Sequence, residues 1–131
     1  MIVVDSSALV ATLRREPEEA SFLGIMANAR ACLVSSVSYM ETSLVLAGRD
    51  GGPEAWTELD ALLAMPHFRV IPHDADLAIV ARDAFLRFGK GRHRAALNIC
   101  DCAAYALAKS RGVPLLFKGG DFTATDVVPA L

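Results

Sequence analysis

Short apolar runs rich in β-branched residues alternate along the chain with longer segments whose apolar positions recur every three or four residues. The first kind of run reads as a buried strand and the second as an amphipathic helix. Met1 to Asp5 is the first strand, ending at a polar residue able to cap a helix, and Ser6 or Ser7 then starts a helix through Leu9, Val10 and Leu13. Pro17 and the Glu18-Glu19 pair open a second helix running to about Asn28, since proline suits a helix opening and acids suit its positive end. Cys32 to Ser35 is a second strand, followed by a helix from about Val37 to Ala47 that Gly48 is expected to close. Asp50-Gly51-Gly52-Pro53 is a turn, Glu54 to Ala64 a helix with Leu59, Leu62 and Leu63 on one face, and Phe68 to Ile71 a third strand.

Asp74 opens a long helix to about Phe88, and the loop Gly89 to Arg94 leads toward a helix with Asp101 near its start, Ser110 near its end and Gly112 as its stop. Val113 to Phe117 is strand-like, Gly119-Gly120 a turn, and Asp126 to Val128 a last short strand. Strands alternating with helices imply right-handed crossovers. The expected fold class is therefore α/β, a three-layer α/β/α sandwich with a central parallel sheet.

Composition narrows this further. A length of 131 residues suits one domain spanning 1–131, and 53% apolar with 21% charged residues describes a packed chain instead of a disordered one. The formal charge of −2 gives no global attraction for phosphate, so nucleic-acid contact must come from a local patch of Lys and Arg. Cys32, Cys100 and Cys102 form no C-x-x-C pair and leave an odd thiol, which argues against a disulfide framework and a zinc knuckle and fits a reducing compartment. With no basic leader before Asp5 and no apolar run near the ~18 residues of a membrane span, a soluble cytoplasmic protein is expected.

In open parallel sheets, ligands bind at the carboxyl ends of the strands. Asp5 ends the first strand, and Asp121 follows Leu115-Leu116-Phe117 by a glycine turn, on the same edge if the two strands are parallel. Glu41 lies on a helix whose apolar stripe includes Val37, Met40, Leu44 and Ala47, so it is expected beside the core, where an acid is costly unless paired or metal-bound. Asp101 stands between Ile99 and the apolar run Cys102 to Ala108. Taken singly, Asp5 and Asp101 serve equally as helix caps, Asp121 as a turn residue and Glu41 as the partner of a basic side chain. Caps and turns, however, do not require acids that return to one strand edge. At ~5 Å and an effective dielectric of ~20, each carboxylate pair repels by about 3 kcal/mol. A divalent cation would remove that cost, and an oxygen-only set suits Mg²⁺, with Mn²⁺ as a substitute, better than zinc.

The opening Ile-Val-Val-Asp5-Ser6-Ser7-Ala8-Leu9, the helix Ser38-Tyr39-Met40-Glu41, the segment Leu97 to Ala108 and Lys118-Gly119-Gly120-Asp121-Phe122 together resemble a PIN-domain ribonuclease of the VapC toxin type, in order over essentially the whole chain. That resemblance implies a PIN-like fold and matches Asp5, Glu41, Asp101 and Asp121 to an acidic tetrad holding one or two Mg²⁺ ions, with Ser7 as a hydroxyl supporting the first Asp. It also implies hydrolysis of RNA by metal-activated water, leaving a 5′-phosphate and a 3′-hydroxyl. A cognate antitoxin, seated in a groove formed by the Trp56 helix and the early helices, and pairing as a homodimer come with the same family. Cys100 departs from the pattern, where relatives often have Gly, and the motif does not claim Asp126.

Lys90, Arg92, His93 and Arg94 form the densest basic cluster, a hypothesis for contact with RNA backbone against the plain alternative of a solvated loop. His67, His73 and Tyr105 read as structural. Three rival functions are weaker. A haloacid-dehalogenase-like phosphatase needs a second Asp where Ser7 stands, and a phosphoacceptor receiver needs adjacent acids where only Asp5 is present. A catalytically silent binding module of the same fold would not need four acids.

Overall fold

Val3, in the middle of the first strand β1 (Ile2–Val4), belongs to one buried cluster, and its neighbours Ile2 and Val4 belong to another. The same alternation holds in β2 (Cys32–Ser35), where Leu33 faces one way and Cys32 and Val34 the other, and in β4 (Leu115–Leu116), whose two residues divide between the clusters. Successive strand side chains point to opposite faces, so these runs are apolar throughout because both faces are covered. With β3 (Phe68–Ile71) they form one sheet in the order β3-β2-β1-β4, with every pairing parallel. The computed structural model describes residues 1–131, the side chain of Asp50 apart.

One face is covered by α1 (Ser6–Leu13) and α2 (Glu19–Asn28) through Leu9, Phe22 and Met26, and the other by α5 (Ala75–Phe88) and α6 (Ile99–Arg111) through Ala84, Tyr105 and Leu107. The helix α3 (Ser36–Asp50) touches both α1 and α6, and α4 (Trp56–Leu63) packs beside it. This is the expected three-layer α/β/α sandwich. Local chemistry sets the helix ends: Asp5, Asp74 and Asn98 each accept a first-turn backbone N–H, and Gly112 closes α6 in the left-handed region.

Several boundaries differ from expectation. The helix α3 runs through Gly48 to Gly51, whose φ of 91° is the left-handed geometry a C-terminal glycine supplies. Met40 and Leu44, expected in the core, are 55% and 63% exposed, while Ser38, Thr42 and Leu46 are buried. Thr42 tolerates that place because its hydroxyl donates to the Ser38 carbonyl at 2.7 Å. Small side chains on that stripe suit a helix wedged between two others. A short 3-10 turn (Pro53–Ala55) precedes α4, which starts at Trp56 instead of Glu54.

β4 is shorter than the expected Val113–Phe117, and the strand expected at Asp126–Val128 reduces to one parallel bridge between Leu115 and Pro129. Leu115 N donates to Val128 O at 2.8 Å and Ala130 N to Leu115 O at 2.9 Å, but Pro129 has no N–H with which to extend a ladder. Gly89, at the end of α5, sits where only glycine fits, since a Cβ there would stand 2.3 Å from the Phe85 carbonyl oxygen.

Candidate active site

The amide of Asp5 donates to the Leu116 carbonyl at 2.9 Å, so the residue ending β1 lies against the end of β4. From Leu116 the chain passes through Phe117 to Gly120 and reaches Asp121, the first residue of a 3-10 turn (Asp121–Ala124). Glu41 enters from the second turn of α3, which follows directly on β2, and Asp101 from the first turn of α6. Because β1, β2 and β4 are parallel, the segments carrying Asp5, Glu41 and Asp121 all leave the same edge of the sheet.

Asp5 is 2% exposed. Its Oδ2 accepts the Ser7 amide at 3.0 Å and the Ser7 hydroxyl at 2.6 Å, whereas its Oδ1 is buried with no hydrogen-bond partner among the described residues. Burial pushes the Asp5 carboxyl from 3.8 up to about 6 against the lowering effect of those two bonds, and the charges of Asp101 and Glu41 push the same way. Asp101 is raised too, by burial first, opposed by a hydrogen bond from the Asn98 backbone, and raised further by the charges of Asp121 and Glu41. The four acids therefore share one electrostatic neighbourhood. Their oxygens are not already clustered as ligands: among the described residues no three Asp, Glu, His or Cys side chains stand at metal-holding spacing. The Ser6 hydroxyl donates to Glu41 Oε1, which ties Glu41 to the residue that follows Asp5.

Both capping roles are real. Asp5 caps α1, and Asp101 forms a reciprocal capping box with Asn98, with bonds of 2.9 and 3.0 Å. Capping does not account for the buried, unpartnered Oδ1 of Asp5, since leaving a buried acceptor unsatisfied costs about 1–3 kcal/mol. A hard divalent cation fits that orphaned oxygen and the all-carboxylate surroundings. Asp5, Glu41, Asp101 and Asp121 are the residues that could hold one.

Three neighbours have contacts that the sequence does not specify. Ser6 starts α1, and its hydroxyl, next to the strand-end acid, also reaches Glu41. The backbone amide of Lys118 donates to the Ser7 hydroxyl at 3.0 Å, a contact no side-chain pattern encodes. The Cys100 thiol is pushed up to about 11, by burial and then by the charge and acceptor capacity of Glu41, with Asp101 and Asp5 adding to it. The departure at Cys100 thus lies inside the acidic cluster, and Asp101 still shares it.

Asp126 is engaged elsewhere, with the Tyr105 hydroxyl donating to it at 2.6 Å and Lys109 and Arg87 at 3.3 and 3.5 Å. Lys90, Arg92 and Arg94 are exposed on the loop between α5 and α6. Within that loop the Leu97 amide donates to Phe88 O and the Lys90 amide to Leu97 O, both at 3.0 Å.

The family model for the PIN domain matches residues 2–128. A ribonuclease VapC of Mycolicibacterium smegmatis is 48% identical over 126 residues, 96% of this chain and 97% of the relative. The chain belongs to the VapC group of the PIN-domain family. Ribonuclease VapC30 of Mycobacterium tuberculosis is 46% identical, over 96% of this chain and 95% of its own length. Among solved structures, Mycobacterium tuberculosis VapC20, described as a toxin that cleaves the sarcin-ricin loop, superposes with a TM-score of 0.80 at 22% identity, covering 98% of this chain and 97% of that one. VapBC2 of Rickettsia felis, solved on a DNA fragment from its promoter, gives 0.76 at 13% identity over 98% and 96%. At such identities these structures speak for the fold alone.

Proposed function

We propose that this protein is the toxin of a toxin-antitoxin pair, an endoribonuclease that hydrolyses RNA phosphodiester bonds with Mg²⁺ as its cofactor and Mn²⁺ as a substitute. The observation that carries the reading is Asp5, a buried carboxylate with one oxygen unpartnered and the charges of Asp101 and Glu41 close by. Asp5, Glu41, Asp101 and Asp121 would hold the ion. When bound, it supplies Lewis acidity that lowers the pKa of a water and offsets charge building on the phosphate and the leaving oxygen.

The chain's own residues do the positioning. The Ser7 hydroxyl holds Asp5 Oδ2 and leaves Oδ1 without a donor among the described residues. The Ser6 hydroxyl orients Glu41, and Asn98 fixes Asp101 through its amide. No side chain here need attack phosphorus, so no covalent intermediate is expected. Lys90, Arg92 and Arg94 are the proposed contacts to RNA backbone, on the loop leading into the helix that carries Asp101.

The same reading gives the protein an antitoxin and a second copy of itself as partners, in the cytoplasm. Leu23, Trp56 and Met65 remain exposed on α2 and α4 and just beyond α4, as a groove for an antitoxin segment requires. Ile79, Leu86 and Ile99, 53%, 58% and 82% exposed, form an apolar surface on α5 and the start of α6 suited to pairing. No helix among the described residues is long and apolar enough to cross a membrane.

The decisive experiment is cleavage of mixed RNA by the wild-type chain with Mg²⁺, with EDTA, and by Asp5→Asn. Cleavage should occur in the first case only. Equal cleavage by wild type and variant would assign the activity to a contaminating nuclease and remove the reading.

A further inference from the structure

On α3, Glu41 is followed at four-residue intervals by Val45 and Arg49, all on one helical face. That face forms one wall of a cavity of about 430 Å³, which Ser6 and Val10 of α1, Glu16, and Lys118 of the loop after β4 also line. Glu41 and Ser6 belong both to this cavity and to the acidic cluster, so the two are continuous. At 1.5 Å rise per residue, Arg49 stands ~12 Å farther along α3 than Glu41. Arg49 is exposed and takes part in none of the ion pairs among the described residues. The Lys118 ammonium, in contrast, is held by Glu16 at 2.5 Å and Glu18 at 3.3 Å. The carboxyl of Glu16 lies below its ordinary range because of Lys118 above all, with Arg49 and Arg14 contributing.

We propose that this groove carries the RNA strand beside the cleavage site, with Arg49 binding a backbone phosphate a short way from the scissile one. The inference rests on the ribonuclease reading and extends it to a substrate path. A cluster of four acids repels a polyanion, and a cation farther along a continuous groove offsets that repulsion and gives the strand a direction. A guanidinium suits the task because it can grip a phosphate through two parallel N–H bonds. Val45, half-buried, offers apolar surface to a base or ribose. Glu16 and Glu18 tether the Lys118 ammonium at the groove wall, which leaves Arg49 as the groove's cation outside the ion pairs among the described residues.

The test is binding of a labelled single-stranded RNA of mixed sequence, with Ca²⁺ replacing Mg²⁺ to suppress cleavage, across a range of salt. Arg49→Ala should weaken binding about tenfold, as for loss of a charge-assisted contact. It should also lower the slope of log K against log salt by about 0.7, the value for one phosphate on a single strand. Arg49→Lys should keep the slope, Arg49→Glu should bind more weakly still, and Arg111→Ala, at the opposite end of α6 from Asp101, should match wild type. Unchanged melting temperatures exclude misfolding. If Arg49→Ala and Arg49→Glu bind RNA as wild type does, the proposal is overturned while the ribonuclease reading stands, because cleavage and its loss in Asp5→Asn are measured separately. Intact RNA binding with loss of a protein partner would also overturn it, assigning the groove to that partner. A wild-type chain that binds no RNA would overturn both.

Discussion

The backbone amide of Lys118 donates to the hydroxyl of Ser7, which itself donates to Asp5 Oδ2, so one hydroxyl ties the loop after β4 to the first turn of α1 and to a buried acid. Ser7→Ala breaks both links and leaves Asp5 with only the amide bond. Cleavage is expected to fall about tenfold, with a higher Mg²⁺ requirement and a stability loss of about 1–2 kcal/mol, while Ser7→Thr keeps most activity. A Mg²⁺ titration of cleavage checks it, and an alanine variant with wild-type Mg²⁺ dependence would deny Ser7 a supporting role.

Asp5 makes the folded protein sensitive to pH. Its folded carboxyl titrates at about 6, above the 3.8 of an unburied one, chiefly because of burial. Between those values the folded state binds more protons than the unfolded state, so stability falls as pH rises through that window. Asp5→Asn should remove the penalty. In EDTA at about pH 7.5 the variant is expected to melt about ten degrees above wild type, on the order of 3 kcal/mol, with the gap closing toward pH 4. Mg²⁺ should raise the melting temperature of wild type and leave the variant nearly unmoved.

The basic loop carries a separate prediction. Arg92 and Arg94 are exposed, so replacing both with Ala should leave melting unchanged. RNA binding should weaken, and its dependence on salt should flatten by about 1.4 in slope for two lost phosphate contacts. Identical salt slopes for the double variant and wild type would return the loop to a solvated surface role.

Tyr105 is buried and gives its hydroxyl to Asp126, and among the described residues it makes no hydrogen bond to the four clustered acids. Tyr105→Phe should therefore lower stability by about 1 kcal/mol, seen in urea unfolding, and leave cleavage per folded molecule unaltered. A large loss of activity at unchanged stability would instead bring Asp126 into the chemistry.

Helix starts and strand cores were legible because their causes are local. Asp5, Asp74 and Asn98 cap through bonds spanning two or three residues, and Gly112 stops α6 by its own backbone freedom. The face of α3 was not legible. Its apolar residues define a stripe at Met40 and Leu44, but the helix buries Ser38 and Thr42 because its neighbours are α1 and α6, and periodicity carries no information about neighbours. The last strand failed for a related reason, since Pro129 limits pairing to one bridge whatever the apolar character of Val127 and Val128.

By itself the sequence determined the alternation of strands and helices, and with it a parallel sheet covered on both faces, because side-chain period and capping chemistry act within a few residues. It also marked four acids near strand and helix ends. Only the tertiary structure decided that Asp5 keeps one oxygen buried and unpartnered, that Ser6 reaches Glu41 across 35 positions, and that Arg49 and Lys118 flank the same groove. Those relationships depend on which distant segments the packed sheet brings together, and the free energy that joins them comes from the core as a whole and not from the residues that meet.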